Sequence, residues 1–593
     1  MSTPRMRRTI LLAGIARLAL GAAGVANAQT AQAPKNDAIV RAMRDELARS
    51  MQQLRLDTLP KPYFIAYRVS EGQGVGASAR LGSLVGESEG RGSRTLQVEV
   101  RVGDYAFDNT NYFGAGFMPT QYVGFTSLPV DDDYQELRRQ IWLATDRAYK
   151  QALEALSQKR AALETRSRTD DLADFSHEPV TNTVDEAPTQ APPNRQAMEA
   201  LARELSAALR SPSEIYSSNV GVQSSWTRTI YINSEGTSYV RARPHASVAA
   251  QASTQALDGT SLSMSYIVQA NSLAELPGKD SLMKGVRDLA ARLTEQRRVA
   301  LADAYDGPVL FQGAAAAELF NQLVAGKLIG VRTPVTSPTF ARAVAGPLAA
   351  GNDWADLVGS FVLPRWMTVV DDPSLASMDG QPVESYRVDE EGVTTRATTL
   401  VDHGMLKALL TSRTPAAGID HSTGSRFGGG PRPVHVTVSA DSALSDADMR
   451  RKLIALAAAQ GRQYGVVVQQ LSGPGNAGDD PEAMVAIMMG QQDRSAPVVR
   501  GMRAIKLFAD GHEEPMRGAL ISGLNATALK DIVAASQTRT VHGDTFISGV
   551  SPFAGNGGSG TVSYLMPSLL FANLSIRKPR GTTPKLPVVP PPT

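Results

Sequence analysis

Apolar residues recur at helical spacing over 36–56, where Ile39, Met43, Leu47, Met51 and Leu54 fall three and four apart. The period then changes. "KPYFIAYRVSE" reads as a strand, and "LGSLVGESEGRGSRTLQVEVRVGDYAFDNT" as two more strands separated by a glycine-rich turn. Leu96, Val98, Val100 and Val102 alternate and so share one face of a sheet. A second long helix is predicted from about Tyr134 to Leu163, with Leu137, Ile141, Ala144, Ala148 and Ala152 inward. Residues 165–195 are polar and end in "EAPTQAPPNR", which reads as a connector or loop. A helix through Met198, Leu201 and Leu205 follows, then strands at about 214–232, 236–253 and 258–269, then a helix over 280–302.

A domain boundary is expected near 303–308, because the texture changes there. Short strands broken by Gly, Pro and Asp fill 360–440, and helical patterns return at 447–461 and 525–536. "FAGNGGSGTVS" (553–563) reads as a flexible loop, and the Pro-rich residues 577–593 as an unpacked tail. The expectation is an α+β protein of two domains, 36–302 and 303–576, each mixing helices with antiparallel sheet and the second richer in sheet.

Residues 1–28 stand apart. A basic head (Arg5, Arg7, Arg8) precedes an apolar middle and the small-residue pattern Ala26-Asn27-Ala28, which predicts a signal peptide cleaved near Ala28/Gln29 and a periplasmic or secreted protein. A membrane anchor is the alternative reading, opposed by Arg17 within the run. "MRRTILL" fits a twin-arginine signal as well as an ordinary one. Removing the segment takes away four arginines and leaves 56 basic residues against 58 acidic ones, so net charge gives no pointer to a polyanionic partner. No basic stripe interleaved with aromatics is present, and nucleic acid is not expected as a partner. No later stretch is apolar enough for a membrane helix. The 593 residues include no cysteine, which excludes disulfides, thiol catalysis and thiolate metal ligands.

Seven histidines bound any metal chemistry. A metallohydrolase helix needs two imidazoles on one face, with a glutamate to activate metal-bound water. His177-Glu178 is followed by Pro179, and His512-Glu513 lies in the turn "DGHEEP"; neither has a second histidine at helical spacing. His403, His421 and His435 are a candidate zinc trio by proximity in sequence alone. Asp371, Asp372, Asp379, Asp389, Glu390 and Glu391 cluster, either as a cation or peptide-amine site or as turn residues, since Asp372-Pro373, Asp379-Gly380 and Glu391-Gly392 are turn pairs. "RFGGGPRP" (426–433) leads into the strand "VHVTVSA" and not into a helix, which excludes a phosphate loop, and no G-x-S-x-G elbow is present.

The run "TVVDDPSL…DGQPVESYRVDEEGVTTRATTLVDHGMLKALLTSRTPA…STGSRF" resembles the C-terminal signature of the TldD/PmbA family. The elements in order are Asp371-Asp372-Pro373, Asp389 to Gly392, Leu400 to Leu410, and Thr423-Gly424-Ser425-Arg426. "PYFIAYRVSE", "RTLQVEVRVGDYAFDNTN" and "YINSEGT" are similar to its exported branch. The resemblance implies peptide processing by an N-terminal α/β domain and a sheet-rich C-terminal domain, with an extended peptide as substrate. Zinc-bearing TldD-type members carry H-E-x-x-x-H plus a cysteine, and PmbA-type partners lack the motif and pair with them. "FQGAAAAELF" (311–320) falls where the metal helix is expected and is apolar and small instead. Gln312 and Glu318 are its only polar side chains, and no histidine lies between His245 and His403. The resemblance therefore implies a non-metal, PmbA-like protein, with zinc only in a TldD-type partner, or a homodimer. The alternatives are a metallopeptidase using His403, His421 and His435, or a module that binds extended peptides without cleaving them.

Overall fold

The structure is a computed structural model, and it describes residues 37–113, 123–164, 171–186, 194–211, 213–336, 352–416, 418–472, 498–547 and 559–578, with a few residues of the tail. The expected signal segment (residues 1–28), most of the loop at 553–563 and most of the tail fall outside the described residues.

The N-terminal half is a seven-stranded sheet with four helices. In chain order these are α1 (Ala38–Gln53), β1 (Pro62–Arg80), β2 (Ser83–Val102), β3 (Val123–Leu128), α2 (Tyr134–Glu164), β4 (Asn182–Glu186), α3 (Arg195–Ala207), β5 (Ser217–Asn233), β6 (Ser238–Gln255), β7 (Ser261–Ala270) and α4 (Lys279–Gln296). The sheet order is β3-β2-β1-β5-β6-β4, with β7 also on β6. Asp37 caps α1 by accepting from the amides of Ile39 and Val40. The periodic positions of α1 and α2 close one core with Val69, Leu96, Val98 and Val100. Those of α3 and α4 close another with Val220, Val222 and Val248. The long strands thus carry two cores in series.

Two sequence expectations change here. The glycine-rich stretch after Leu84 does not split two strands. β2 runs unbroken against β1, the true turn is Leu81-Gly82, and Gly90 faces Gly74 across the pair. Glycine opposite glycine brings the two backbones together with no side chains to hold them apart: a Cβ on Gly90 would lie 3.1 Å from the Gly74 carbonyl oxygen. The stretch read as a connector contains β4, paired in parallel with β6, and buries Asp174, Phe175 and Ser176.

The C-terminal half is built on a twelve-stranded sheet. Its main elements are β8 (Tyr305–Phe311), α5 (Ala314–Leu323), β9 (Met367–Asp371), β10 (Thr398–Asp402), β11 (His435–Ala440), α6 (Asp446–Ala459), β12 (Tyr464–Leu471), β13 (Val499–Phe508), β14 (Glu513–Arg517), β15 (Ala519–Ser522), α7 (Ala526–Lys530), β16 (Ile532–Ile547) and β17 (Ser559–Arg577). The short strands Met405–Leu406 and Ala300–Leu301 flank it. β17 pairs with β8, β11, β15 and β16 and is the hub of the sheet. The alternation along β8 shows how the layers form: Val309 and Phe311 face the core under α5, and Leu310 faces the core under α6. The helix expected over 525–536 shrinks to α7, because Ile532 onward joins β16 and buries Ile532 and Ala535 in the α5 core. Pairing with β17 overrides the helix propensity of its alanines.

Candidate functional site

α5 begins at a sharp corner. β8 delivers the chain to Gly313, whose backbone (φ +57°, ψ −121°) lies in the region glycine adopts most readily. Its amide donates to Ser568 Oγ of β17 at 3.1 Å. Ala315, Ala316, Ala317, Leu319 and Phe320 are buried in the core. The polar face of the helix carries Glu318 and Asn321, one turn apart, and lies over His542 and Asp544, two residues apart on β16. Helical spacing of three matches strand spacing of two, so the pairs meet.

Glu318 Oε1 lies 3.7 Å from His542 Nε2. Its other oxygen accepts from the Leu471 amide at 2.6 Å. Asn321 Nδ2 donates to Asp544 Oδ2 at 2.8 Å and accepts at Oδ1 from the buried Tyr564 hydroxyl at 2.8 Å. Burial, helped by the Asp544 charge, pushes the Glu318 carboxyl up to about 7. Burial pushes the His542 imidazole down. Glu318 therefore changes protonation near neutral pH, while burial favours the neutral form of the His542 imidazole beside it.

Gln312, the other polar residue singled out in this stretch, is half-buried, and its backbone N–H donates to the Val468 carbonyl at 2.9 Å. The candidate zinc trio is dispersed over separate partners. His403 faces Asp402 and Asp441 at the surface, His421 bonds Asp420, and the buried His435 meets the Glu384 carbonyl at 2.7 Å. His177 stacks on Tyr105, and His512 lies near Glu514. Among the described residues no group of three or more His, Asp or Glu side chains is placed to hold a metal ion.

The acidic cluster resolves into turns and braces. Asp389 accepts from the amides of Glu391, Val393 and Arg426, and burial, then the neighbouring Glu391 carboxylate, push it up to about 7. Asp371 accepts from Val434 and His435, and burial raises it to about 6. Glu390 accepts from Gly428 and Gly429. Gly392 sits at φ +77° with Thr237 so close that a Cβ would lie 2.4 Å from its methyl. This turn therefore docks directly on the N-terminal sheet. Beside it the buried Arg413 makes two bonds to Glu235, at 2.6 and 2.8 Å, and two to the Ser176 carbonyl, at 2.6 and 3.2 Å. The Thr423–Arg426 loop is held in the same junction, with Arg426 3.4 Å from Glu391. His542 and Asp544 were not predicted. Their only sequence signal is the alternation of "TVHGDTF", which carries no chemistry until α5 lies over it.

No curated protein matches the chain. Three solved structures share its fold. One is described as a modulator of DNA gyrase from Thermotoga maritima (TM-score 0.56, 14% identity, covering 91% of this chain and 99% of that one). Another is TldE from Thermococcus kodakarensis (0.53, 15%, 91% and 100%). The third is described as a modulator of DNA gyrase from Bacteroides thetaiotaomicron (0.56, 12%, 91% and 98%). The PmbA/TldA metallopeptidase central-domain model matches residues 186–300, and the C-terminal-domain model of that family matches residues 306–578. Together these matches span most of the described fold, including α5 and the docked turn, and the chain belongs to the PmbA/TldD family.

Proposed function

We propose that this protein is an exported, peptide-handling member of the family that supplies no zinc ligands and works beside a zinc-bearing paralogue. The observation that carries the reading is α5 itself. By the family resemblance this helix falls where the metal helix is expected, yet its inward positions are Ala315, Ala316, Ala317, Leu319 and Phe320, and its polar positions are Glu318 and Asn321. It has no imidazole, and the sequence has no cysteine, so the ligand set of the zinc-bearing members does not fit these residues. No step through zinc is derived for this chain. Its own contribution is the pair Glu318 and His542, set between α5 and β16. An extended peptide suits such a protein, because main-chain bonds to a strand edge hold it whatever its side chains.

The test is to purify the mature chain alone and with the H-E-x-x-x-H paralogue of its source. The expected result is less than a tenth of an equivalent of zinc in the isolated chain, with stable co-elution and peptidase activity only in the pair. Stoichiometric zinc in the isolated chain, with chelator-sensitive proteolysis, overturns the reading.

A further inference from the structure

An unassigned pocket lies at the seam between the two halves. It has a volume of about 240 Å³. Its walls bring Arg241 of β6 together with Tyr386, Phe427 and Arg432 from the C-terminal loops, and Glu384 and Glu390 also reach it. The rings of Tyr386 and Phe427 pack at 4.8 Å between centroids. Each carries a guanidinium over it: Arg241 over Tyr386 at 5.1 Å and Arg432 over Phe427 at 5.5 Å.

The charges do not cancel within the pocket. Glu384 is taken by Arg243 at 3.1 Å. Glu390 accepts from the amides of Gly428 and Gly429 and faces Arg68 at 3.6 Å. Arg241 donates only to the Val388 carbonyl, and Arg432 only to the carbonyls of Pro433 and Thr561. Among the described residues neither has a carboxylate within salt-bridge distance. Arg432 is 94% buried, and its Nε has no hydrogen-bond partner. A buried cation left in this state is costly unless an anion completes it. A guanidinium presents a planar fork that matches a carboxylate or a phosphate. Two acidic side chains on the same walls repel a dianion more than a monoanion. The aromatic pair offers an apolar surface beside the charges.

We propose that this pocket binds the α-carboxylate of an amino-acid residue, with Arg241 and Arg432 as the anion-binding pair and the Tyr386–Phe427 wall against its side chain. Such a carboxylate is carried by a free amino acid or by the C-terminal residue of a peptide. The inference stands on this chain alone and holds with or without a metal-bearing partner, so a failed zinc test and a failed carboxylate test are separate outcomes.

Calorimetric titration of the mature protein with Ala-Ala-Phe, its C-terminal amide, free phenylalanine and inorganic phosphate tests it. The acid is expected to bind at least tenfold more tightly than the amide and more tightly than phosphate. Equal binding of phenylalanine and the tripeptide assigns the site to free amino acids; tighter tripeptide binding assigns it to peptide ends. Arg432→Gln and Arg241→Gln are each expected to weaken the acid at least tenfold. Arg241 is only half-buried, so its variant keeps the test open if the buried one fails to fold. No binding of any carboxylate at millimolar concentration, equal binding of acid and amide, tighter binding of phosphate, or an unchanged affinity in Arg241→Gln overturns the proposal.

Discussion

Glu318 carries a carboxyl held near 7 chiefly by burial, and its neighbour His542 is displaced the other way by the same cause. Between pH 4.5 and 7 the native protein keeps a proton on Glu318 that the unfolded chain has released. Its contribution to stability is therefore full below pH 4.5 and falls as pH rises to about 7, by an amount on the order of 3 kcal/mol. His542 acts in the opposite sense, since the unfolded chain takes up a proton first as pH drops through 6.5. Glu318→Gln keeps an acceptor for the Leu471 amide and removes only the titration. Urea midpoints at pH 4.5 and 7.5 should show the variant gaining on the parent at the higher pH; the same change in both proteins contradicts a proton held on Glu318. Glu318 was visible in the sequence as one of two polar side chains in an apolar run. Its partners were not, because His542 and Asp544 lie more than 200 residues away and meet it only when β16 packs under α5.

At the scale of elements, small side chains decide how closely α5 sits on the sheet. Ala315, Ala316 and Ala317 are all fully buried. Ala316→Leu should overpack the layer between α5 and β17 and cost about 1–3 kcal/mol, read as a lowered thermal midpoint; an unchanged midpoint argues against the close packing. The elements legible beforehand were those whose apolar period matched one face of one core, such as Leu282, Val286, Leu289 and Leu293 of α4. Those misread were set by a partner. Gly86–Gly92 stays extended because β1 lies against it, and Ile532–Ala535 is strand because β17 claims it. The acidic turn at Asp389–Gly392 was legible as a turn, but its use as a brace against the other half was not.

At the scale of the molecule, the two halves are joined by buried polar groups. Arg413 is 2% exposed, stacks on Phe175 at 3.8 Å and holds Glu235 and Ser176 from the N-terminal half. Arg413→Ala leaves Glu235 without its cation and should cost about 3–5 kcal/mol, with part recovered in Arg413→Ala/Glu235→Gln; a double variant no more stable than the single one contradicts the pairing. The division at 303–308 was read from a change of texture, and the junction's partners were beyond any local pattern, since each bond crosses a separation of more than 170 residues. The position of β17 bears on biogenesis. β17 lies between β8 and β11, so the β8–β12 and β9–β11 pairs are not joined into one sheet until the ribosome has delivered it. At ordinary elongation rates that interval is on the order of 10–50 s. Throughout it α5 has β8 and β12 beneath it but lacks the β16–β17 part of its floor, and its apolar face stays partly uncovered.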